Sequence, residues 1–228
     1  MYAVFSHKTR FPTIKDRYSA RMGRALPNPD LKPERANHVE LGVSGKPWTG
    51  ATGQVALFQS RVNDQIQTAV VSSTSCGGTT CDQAQNIGRT RNLGLELSLS
   101  QQFAGRWQAD ATYTWLKRTN LSDTSVMLLD TPRHRLFAAL RWQPHDQWTL
   151  QSTVEAEQGR RISFSGSGRN TWREPGGFGV VGLSTTWTPR QDLSVDVGVN
   201  NLGNRWYELA DGLPMPGRTW FVNGTWRF

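Results

Sequence analysis

Apolar and polar residues alternate with a period of two over most of this chain. In the stretch 193–200, Leu193, Val195, Val197 and Val199 alternate with small or polar residues. The same period recurs in 93–100, 107–115, 135–143, 148–157 and 219–228. Because residues i and i+2 of a strand share one face, the pattern predicts about ten antiparallel strands, each apolar on one side only.

The connections between these strands distinguish a membrane barrel from a soluble sandwich. A sandwich also buries one face of every strand, so alternation alone does not separate the two folds. Here short turns (46–52, 103–106, 144–147 and 188–191) alternate with long connections (9–35, 73–86, 118–131, 159–176 and 204–217). Barrels of the bacterial outer membrane have short periplasmic turns and long extracellular loops. The predicted fold is therefore all-β, made of antiparallel up-and-down strands of a transmembrane β-barrel.

Aromatic residues support this orientation. The chain carries 10 Trp, 9 Phe and 4 Tyr although only 36% of its residues are hydrophobic. Several tryptophans lie next to the short turns, where an aromatic girdle would meet the periplasmic interface. The uninterrupted apolar faces predict contact with lipid at Leu93, Leu95, Leu97, Leu99, Val195, Val197 and Val199. No segment approaches the roughly 18 consecutive apolar residues of a spanning helix, which excludes a helical membrane protein.

Charge and chemistry exclude other classes. The formal net charge is +8, but the arginines are scattered and accompany no nucleic-acid-binding signature, so we expect no nucleic-acid partner. The four histidines stand apart from any second metal ligand or catalytic partner. We therefore expect no catalytic residues, no metal site and no cofactor, and hence a protein that is not an enzyme.

Two cysteines, Cys76 and Cys81, bracket a glycine-containing segment in one long connection. A pair this close is typical of a local disulfide in an oxidising compartment, although two unrelated thiols remain the alternative. The opening residues 1–6 have none of the parts of an export signal, so we expect either that the chain begins inside a larger protein or that the gene is truncated.

Three stretches resemble TonB-dependent outer-membrane receptors. The first runs from Arg10-Phe11-Pro12-Thr13 through Tyr18 to Asn28-Pro29-Asp30-Leu31-Lys32-Pro33-Glu34 and the strand at 39–42. The second, Asn200-Asn201-Leu202-Gly203-Asn204 with Tyr207, is similar to the signature that precedes the last strand of that family. The third is the terminal alternating strand, with Trp226 and Phe228, which resembles the signal read by the barrel-assembly machinery.

The resemblance implies that residues 1–228 are the C-terminal part of such a receptor barrel, whose full form has 22 strands. It implies that the plug domain and signal peptide are absent here. The full-length relative would import a scarce ligand across the outer membrane, foremost a ferric siderophore, with energy passed through the TonB complex to the plug. A cobalamin receptor of the same family, a passive porin-like channel and a surface adhesin barrel are the alternatives.

The long connections carry the candidate ligand-binding residues. They mix basic and aromatic side chains, which suit an anionic iron chelate but also the phosphate-bearing lipid and lipopolysaccharide headgroups outside the cell. Solvated loop charge is the simpler alternative for each of them. The candidates are Arg10, Arg17, Tyr18, Trp172, Trp206 and Tyr207.

Overall fold

The computed structural model describes residues 1–78, 80–103, 105–163 and 172–228. In chain order the elements are β1 (Tyr2–Arg10), α1 (Ile14–Tyr18), a 3₁₀ turn (Arg21–Gly23), β2 (Ala25–Leu26), β3 (Glu34–Gly45), β4 (Ala51–Asn63), β5 (Ile66–Ser72), β6 (Thr80–Asn86), β7 (Thr90–Phe103), β8 (Trp107–Asn120), β9 (His134–His145), β10 (Trp148–Gln158), β11 (Ile162–Ser163), β12 (Trp172–Arg173), β13 (Phe178–Arg190), β14 (Leu193–Asn200), β15 (Glu208–Ala210), β16 (Leu213–Pro214) and β17 (Thr219–Trp226). The chain is thus almost entirely β-structure, as predicted.

Ten of these strands form one antiparallel sheet in the order β1-β3-β4-β7-β8-β9-β10-β13-β14-β17. Each strand pairs with the barrel strand that precedes it in the chain, which confirms the predicted up-and-down topology. The sheet is open, with β1 at one edge and β17 at the other. None of the helices in the described residues has the length and hydropathy that a membrane-spanning helix needs.

The two faces of the sheet differ in chemistry. The outer face is the one that carries Leu93, Leu97 and Leu99 of β7, all of which are exposed. The register places these leucines opposite other apolar residues, for example Leu97 opposite Tyr113, which is in turn opposite Leu136. Val199 lies on the same face but is only 4% exposed, because it stands between the bulky side chains of Leu183 and Trp220 in the register.

The inner face is polar, and its charges pair across strands. Arg135 of β9 contacts Glu155 (3.2 Å) and Glu157 (3.5 Å) of β10. Thr186 of β13 donates a hydrogen bond to Asp196 of β14 (2.5 Å). An outward apolar face and an inward polar face are what a barrel wall in lipid requires.

Aromatic rings cover glycines on the inner face. Phe58 of β4 is the register partner of Gly94 on β7, and its ring lies so close that a Cβ built on Gly94 would be 2.2 Å from the ring. The same arrangement pairs Tyr2 with Gly42, and Phe221 with Gly198. Each ring occupies the space that a side chain on the glycine would fill, which shields the strand backbone at that point.

Tryptophans concentrate at the end of the sheet that bears the short turns. Trp107 stacks on Trp142 with ring centroids 5.0 Å apart, and Trp148 stacks on Trp187 at 6.0 Å. These four side chains lie on the outer face next to the turns at 103–107, 145–148 and 190–193. The predicted girdle is therefore present as two stacked cross-strand pairs.

The long connections contain more regular structure than the sequence predicts. The third barrel strand was expected to continue to residue 72, but it ends at Asn63, because Asp64 adopts a left-handed backbone (φ 55°). Residues 66–86 then form a separate hairpin, β5–β6, above the sheet. The expected connection at 73–86 is thus wrong in its bounds, and the true connection spans 64–89.

A candidate ligand-binding site among the long loops

The first two long loops are joined to each other. Loop 1 is residues 11–33 and loop 2 is residues 64–89. Strand β2 of loop 1 pairs in parallel with β6 of loop 2. The Asn28 side chain donates to the Ala84 carbonyl oxygen (2.8 Å), and the Asn86 side chain bonds both backbone groups of Lys32 (2.9 and 3.1 Å). We call this set of contacts the loop joint.

The first sequence motif supplies the base of the loop joint. Leu31 is 2% exposed, and its carbonyl oxygen accepts a hydrogen bond from Arg17 (2.9 Å). Glu34 binds Arg10 through both carboxylate oxygens (2.7 and 3.1 Å) and also accepts from the backbone N–H of Ile66 (2.7 Å). Arg10 and Arg17, two of the predicted ligand-binding residues, therefore support the base of the joint: Arg10 holds Glu34, which meets loop 2 at Ile66, and Arg17 acts within loop 1.

The second motif closes the last long loop. Asn201 is buried with a left-handed backbone (φ 50°), and its amide donates to the carbonyl oxygens of Arg205 (2.8 Å) and Pro216 (3.2 Å). Asn204 accepts from the backbone N–H of Arg218 (2.9 Å). Asparagine tolerates this backbone conformation and carries both donor and acceptor groups, which explains why the motif uses it twice.

A cavity of about 330 Å³ opens between three loop segments. One wall is the β5–β6 hairpin, the second is the connection 121–131, and the third is formed by Ser163 and Trp172. The lining combines apolar groups with amides, hydroxyls and acids, and includes Gln67, Val70, Gln85, Asp123, Met127 and Trp172. Gln67 ties the first two walls together by donating to the Met127 carbonyl oxygen (3.0 Å).

Trp172 is the aromatic wall of this cavity, and a cation lies over it. The Arg161 guanidinium carbon is 5.0 Å from the Trp172 ring centroid, within cation–π range. Arg161 also binds Glu174 (3.0 Å) and approaches the Met127 sulfur (3.7 Å). The Arg161 guanidinium thus covers one face of the Trp172 indole, whereas Trp172 itself lines the cavity and is 40% exposed.

A second charged cluster joins the last two long loops to each other and ties the first of them to the sheet. Arg173 of β12 bonds Asp211 (2.9 Å) and the buried Glu208 of β15. Arg160 bonds Glu157 at the end of β10 (2.6 Å) and the Asp130 carbonyl oxygen (2.9 Å). Loop positions in this region are therefore fixed by ion pairs with low exposure.

Tyr207 lies beside this cluster rather than at the cavity. Its ring stacks on Phe178 with centroids 4.0 Å apart. Burial raises the pKa of the Tyr207 phenol above its usual value, and the charges of Glu155 and Glu157 raise it further. The phenol is therefore held in its neutral form over the ordinary pH range.

Of the predicted ligand-binding residues, the structure places only Trp172 at the cavity. Arg10 and Arg17 belong to the loop joint, Tyr18 is exposed at the end of α1, and Trp206 is 64% exposed beside Tyr207. Sequence reasoning missed the β5–β6 hairpin and Arg161. The β-branched residues Ile66, Thr68 and Val70 were the available signal for a strand of the hairpin, whereas no local pattern indicates which arginine covers Trp172.

The cysteine pair lies at the tip of the β5–β6 hairpin. The two sulfur atoms of Cys76 and Cys81 are at bonding distance, with Cα atoms 5.6 Å apart. Within the ranges that the structure describes, no group of three or more His, Cys, Asp or Glu side chains is arranged to hold a metal ion.

Comparison with known proteins gives one family. The family model described as "TonB dependent receptor-like, beta-barrel" matches residues 1–202. The ferrienterobactin receptor of Escherichia coli K12 is 26% identical over 182 residues, which are 77% of this chain and 24% of that protein. The ferric enterobactin receptor of Pseudomonas aeruginosa is 24% identical over 189 residues, covering 77% of this chain and 25% of the relative.

Solved structures share the fold. The copper transporter OprC superposes with a TM-score of 0.80 at 22% identity, covering 99% of this chain and 36% of that one. A ferric enterobactin receptor of Pseudomonas aeruginosa in complex with enterobactin gives a TM-score of 0.71 at 21% identity, covering 98% and 38%. The chain thus spans about a quarter of the length of these curated relatives and somewhat over a third of these solved chains.

Proposed function

Because this chain belongs to the family of TonB-dependent receptor-like β-barrels, we propose that it forms part of the wall and the extracellular ligand-binding loops of an outer-membrane importer of a ferric siderophore. Residues 1–228 would be the C-terminal part of the larger barrel. The observation that supports this proposal is the loop cavity lined by Trp172, whose ring is covered on one face by the Arg161 guanidinium. Relatives named as enterobactin receptors favour a catecholate as the iron-binding group.

The chemistry of the cavity fits that ligand class. A ferric catecholate presents flat aromatic rings and net negative charge, so the exposed part of the Trp172 indole offers aromatic contact, with the Arg161 cation close by. The amides of Gln67 and Gln85 line the opposite wall, and each has a second N–H besides the one that it donates to Met127 or Gln83. Import energy would come through the TonB complex acting on a plug domain. Assembly would use the exposed aromatic residues Trp226 and Phe228 as the strand signal.

The test is direct binding of ferric enterobactin to the receptor that carries this chain, measured by fluorescence quenching in purified outer membranes. Trp172→Ala should weaken binding at least about fivefold, since a central aromatic anchor contributes more than about 1 kcal/mol. Trp48→Ala, at a short turn on the opposite end of the sheet, is the matched control and should bind normally.

If Trp172→Ala and Trp48→Ala bind ferric enterobactin equally well, the cavity is not the binding site. Binding of cobalamin instead of the ferric catecholate, lost in Trp172→Ala, would replace the ligand class while keeping the site. Free diffusion of unrelated small solutes through the reconstituted protein would favour a passive channel.

A further inference from the structure

The loop cavity carries negative charge of its own. Asp82 of β6 and Asp123 of the connection 121–131 both line it, and the described residues of the lining include no Lys, Arg or His. Hydrogen bonds from the hydroxyl and the backbone N–H of Ser125 hold the pKa of the Asp123 carboxyl below its usual value. This carboxyl is therefore ionised at neutral pH.

Two cations stand near this lining without belonging to it. Arg21 of loop 1 bonds Asp82 at 3.2 Å, but the two side chains are 47% and 41% exposed, so water screens the pair. Arg161 covers one face of the Trp172 ring and is also engaged by Glu174. The interior of the cavity therefore disfavours the anionic core of a ferric catecholate, which is better placed at the mouth, beside Trp172.

The lining offers hydrogen-bond donors and acceptors together. The amides of Gln67 and Gln85 each present a second N–H, and their carbonyl oxygens and the two carboxylates can accept. The hydroxyls of Thr68 and Ser163 can do both. An anion would leave the acceptors without donors, and a cation would leave the N–H groups without acceptors. A group with several hydroxyls can satisfy both sets, because each hydroxyl donates and accepts.

The size and the apolar part of the cavity indicate the shape of such a group. The volume of about 330 Å³ lies at the small end of the range for drug-sized ligands, about 300–1,000 Å³. It suits a single ring rather than a whole chelate with three catechol arms. Trp172 adds a flat apolar surface, and Val126 and Met127 add further apolar contacts. A sugar ring has a flat C–H face and an edge of hydroxyls, which match these two parts of the lining.

We propose that this cavity binds a neutral sugar ring attached to the imported iron chelate. The inference rests on the proposed function, because it keeps a ferric catecholate as the iron-binding part of the ligand. The ring would pack against Trp172 and donate hydrogen bonds to Asp82 and Asp123. The amides of Gln67 and Gln85 would donate to its hydroxyl oxygens. The anionic core would stay at the mouth of the cavity, away from the carboxylates.

The experiment compares ferric enterobactin with ferric enterobactin that carries glucosyl groups on its catechol rings, and uses methyl glucoside as the free sugar. Binding to the receptor that carries this chain is measured by isothermal titration calorimetry in detergent. The glucosylated chelate should bind at least about tenfold more tightly than ferric enterobactin, because a site that hydrogen-bonds hydroxyls discriminates against a ligand that lacks them.

The Asp82→Asn variant should act in opposite directions on the two chelates. It should weaken the glucosylated chelate about fivefold, since a charged acceptor forms a stronger hydrogen bond than a neutral one. It should tighten ferric enterobactin about twofold at low ionic strength, since one repelling charge is removed. Asp30→Asn removes an exposed acid of loop 1 that does not line the cavity, and it should change neither affinity.

The opposite signs separate sugar recognition from damage to the loops, which would weaken both chelates. Equal affinity of the unaltered receptor for the two chelates, or equal weakening of both by Asp82→Asn, would overturn the inference while leaving the proposed function intact. Methyl glucoside that binds as tightly as the glucosylated chelate would show that the sugar need not be attached to iron, against the proposal. Failure of both chelates together with Asp82-dependent binding of methyl glucoside would refute the proposed function and keep the sugar site.

Discussion

Replacing Gly94 by alanine places a methyl group against the ring of Phe58. The new Cβ would lie 2.2, 2.5 and 3.0 Å from three ring atoms, so the ring must retreat by more than an ångström to reach ordinary contact. His38 flanks the ring at a centroid distance of 5.7 Å and limits its movement on one side. Overpacking of this kind costs about 1–3 kcal/mol of folding free energy.

Gly45 provides the matched control, since a Cβ there would meet no atom within 4 Å. Alanine relieves the entropic cost of glycine in a strand, so Gly45→Ala should be neutral or slightly stabilising, by about 0.5 kcal/mol. The difference between the two variants therefore isolates the clash with Phe58. Phe58→Leu combined with Gly94→Ala should recover part of the loss, because the smaller side chain leaves room for the methyl group.

The measurement is urea unfolding of the receptor that carries this chain, followed by its heat-modifiable electrophoretic mobility. We expect the Gly94→Ala midpoint to fall and the Gly45→Ala midpoint to stay or rise. If both variants unfold at the same urea concentration, the packing of the Phe58 ring does not require a glycine at position 94. Aromatic covering of inner-face glycines would then contribute nothing to stability.

Three further predictions follow from the fold and the loops. Mass spectrometry of non-reduced peptides should find Cys76 cross-linked to Cys81, and two freely alkylated thiols would contradict the disulfide. Val197→Arg on the outer face should cost about 2–4 kcal/mol if it lies near mid-membrane, whereas Ser194→Asn on the inner face should be mild, and equal tolerance would argue for a soluble sheet. Because the Tyr207 pKa is raised by burial, the folded state holds the phenolic proton more tightly than the unfolded state, and this contribution to stability should be lost as pH rises above about 10. Thermal unfolding of Tyr207→Phe should show a smaller decline over that pH range than the unaltered protein.

The sheet could be predicted from the sequence because its strands and their pairing are determined by residues close together in the chain. A period-two pattern such as 193–199 determines which side of a strand is apolar, and the alternation of short and long connections determines which strands pair. The β5–β6 hairpin escaped prediction because Asp64 interrupts the strand through its backbone conformation, which residue type alone does not dictate. Val199 lies on the outer face, as the alternation predicts, but its expected contact with lipid is wrong for this structure, in which Val199 is 4% exposed between Leu183 and Trp220 in the register.

The candidate site was less predictable because its contacts join distant loops. Trp172 stood out as a loop aromatic, but Arg161 meets it through the β11–β12 pairing of the same connection, and the cavity needs the hairpin and the connection 121–131 as further walls. Arg10 and Arg17 were singled out for their charge. Their partners, Glu34 and the Leu31 carbonyl oxygen, give them a place in the loop joint, and their contact with a ligand stays a prediction.

The loop joint has a consequence for how such receptors can diversify or be engineered. The hydrogen bonds from Asn28 to Ala84 and between Lys32 and Asn86 require the two loops to match each other. A transplanted loop 2 with another residue at position 86 would leave both backbone groups of Lys32 without their side-chain partner and weaken the attachment of one wall of the cavity. A change of ligand specificity should therefore succeed more readily when loop 1 and loop 2 are exchanged together than when one loop is exchanged alone.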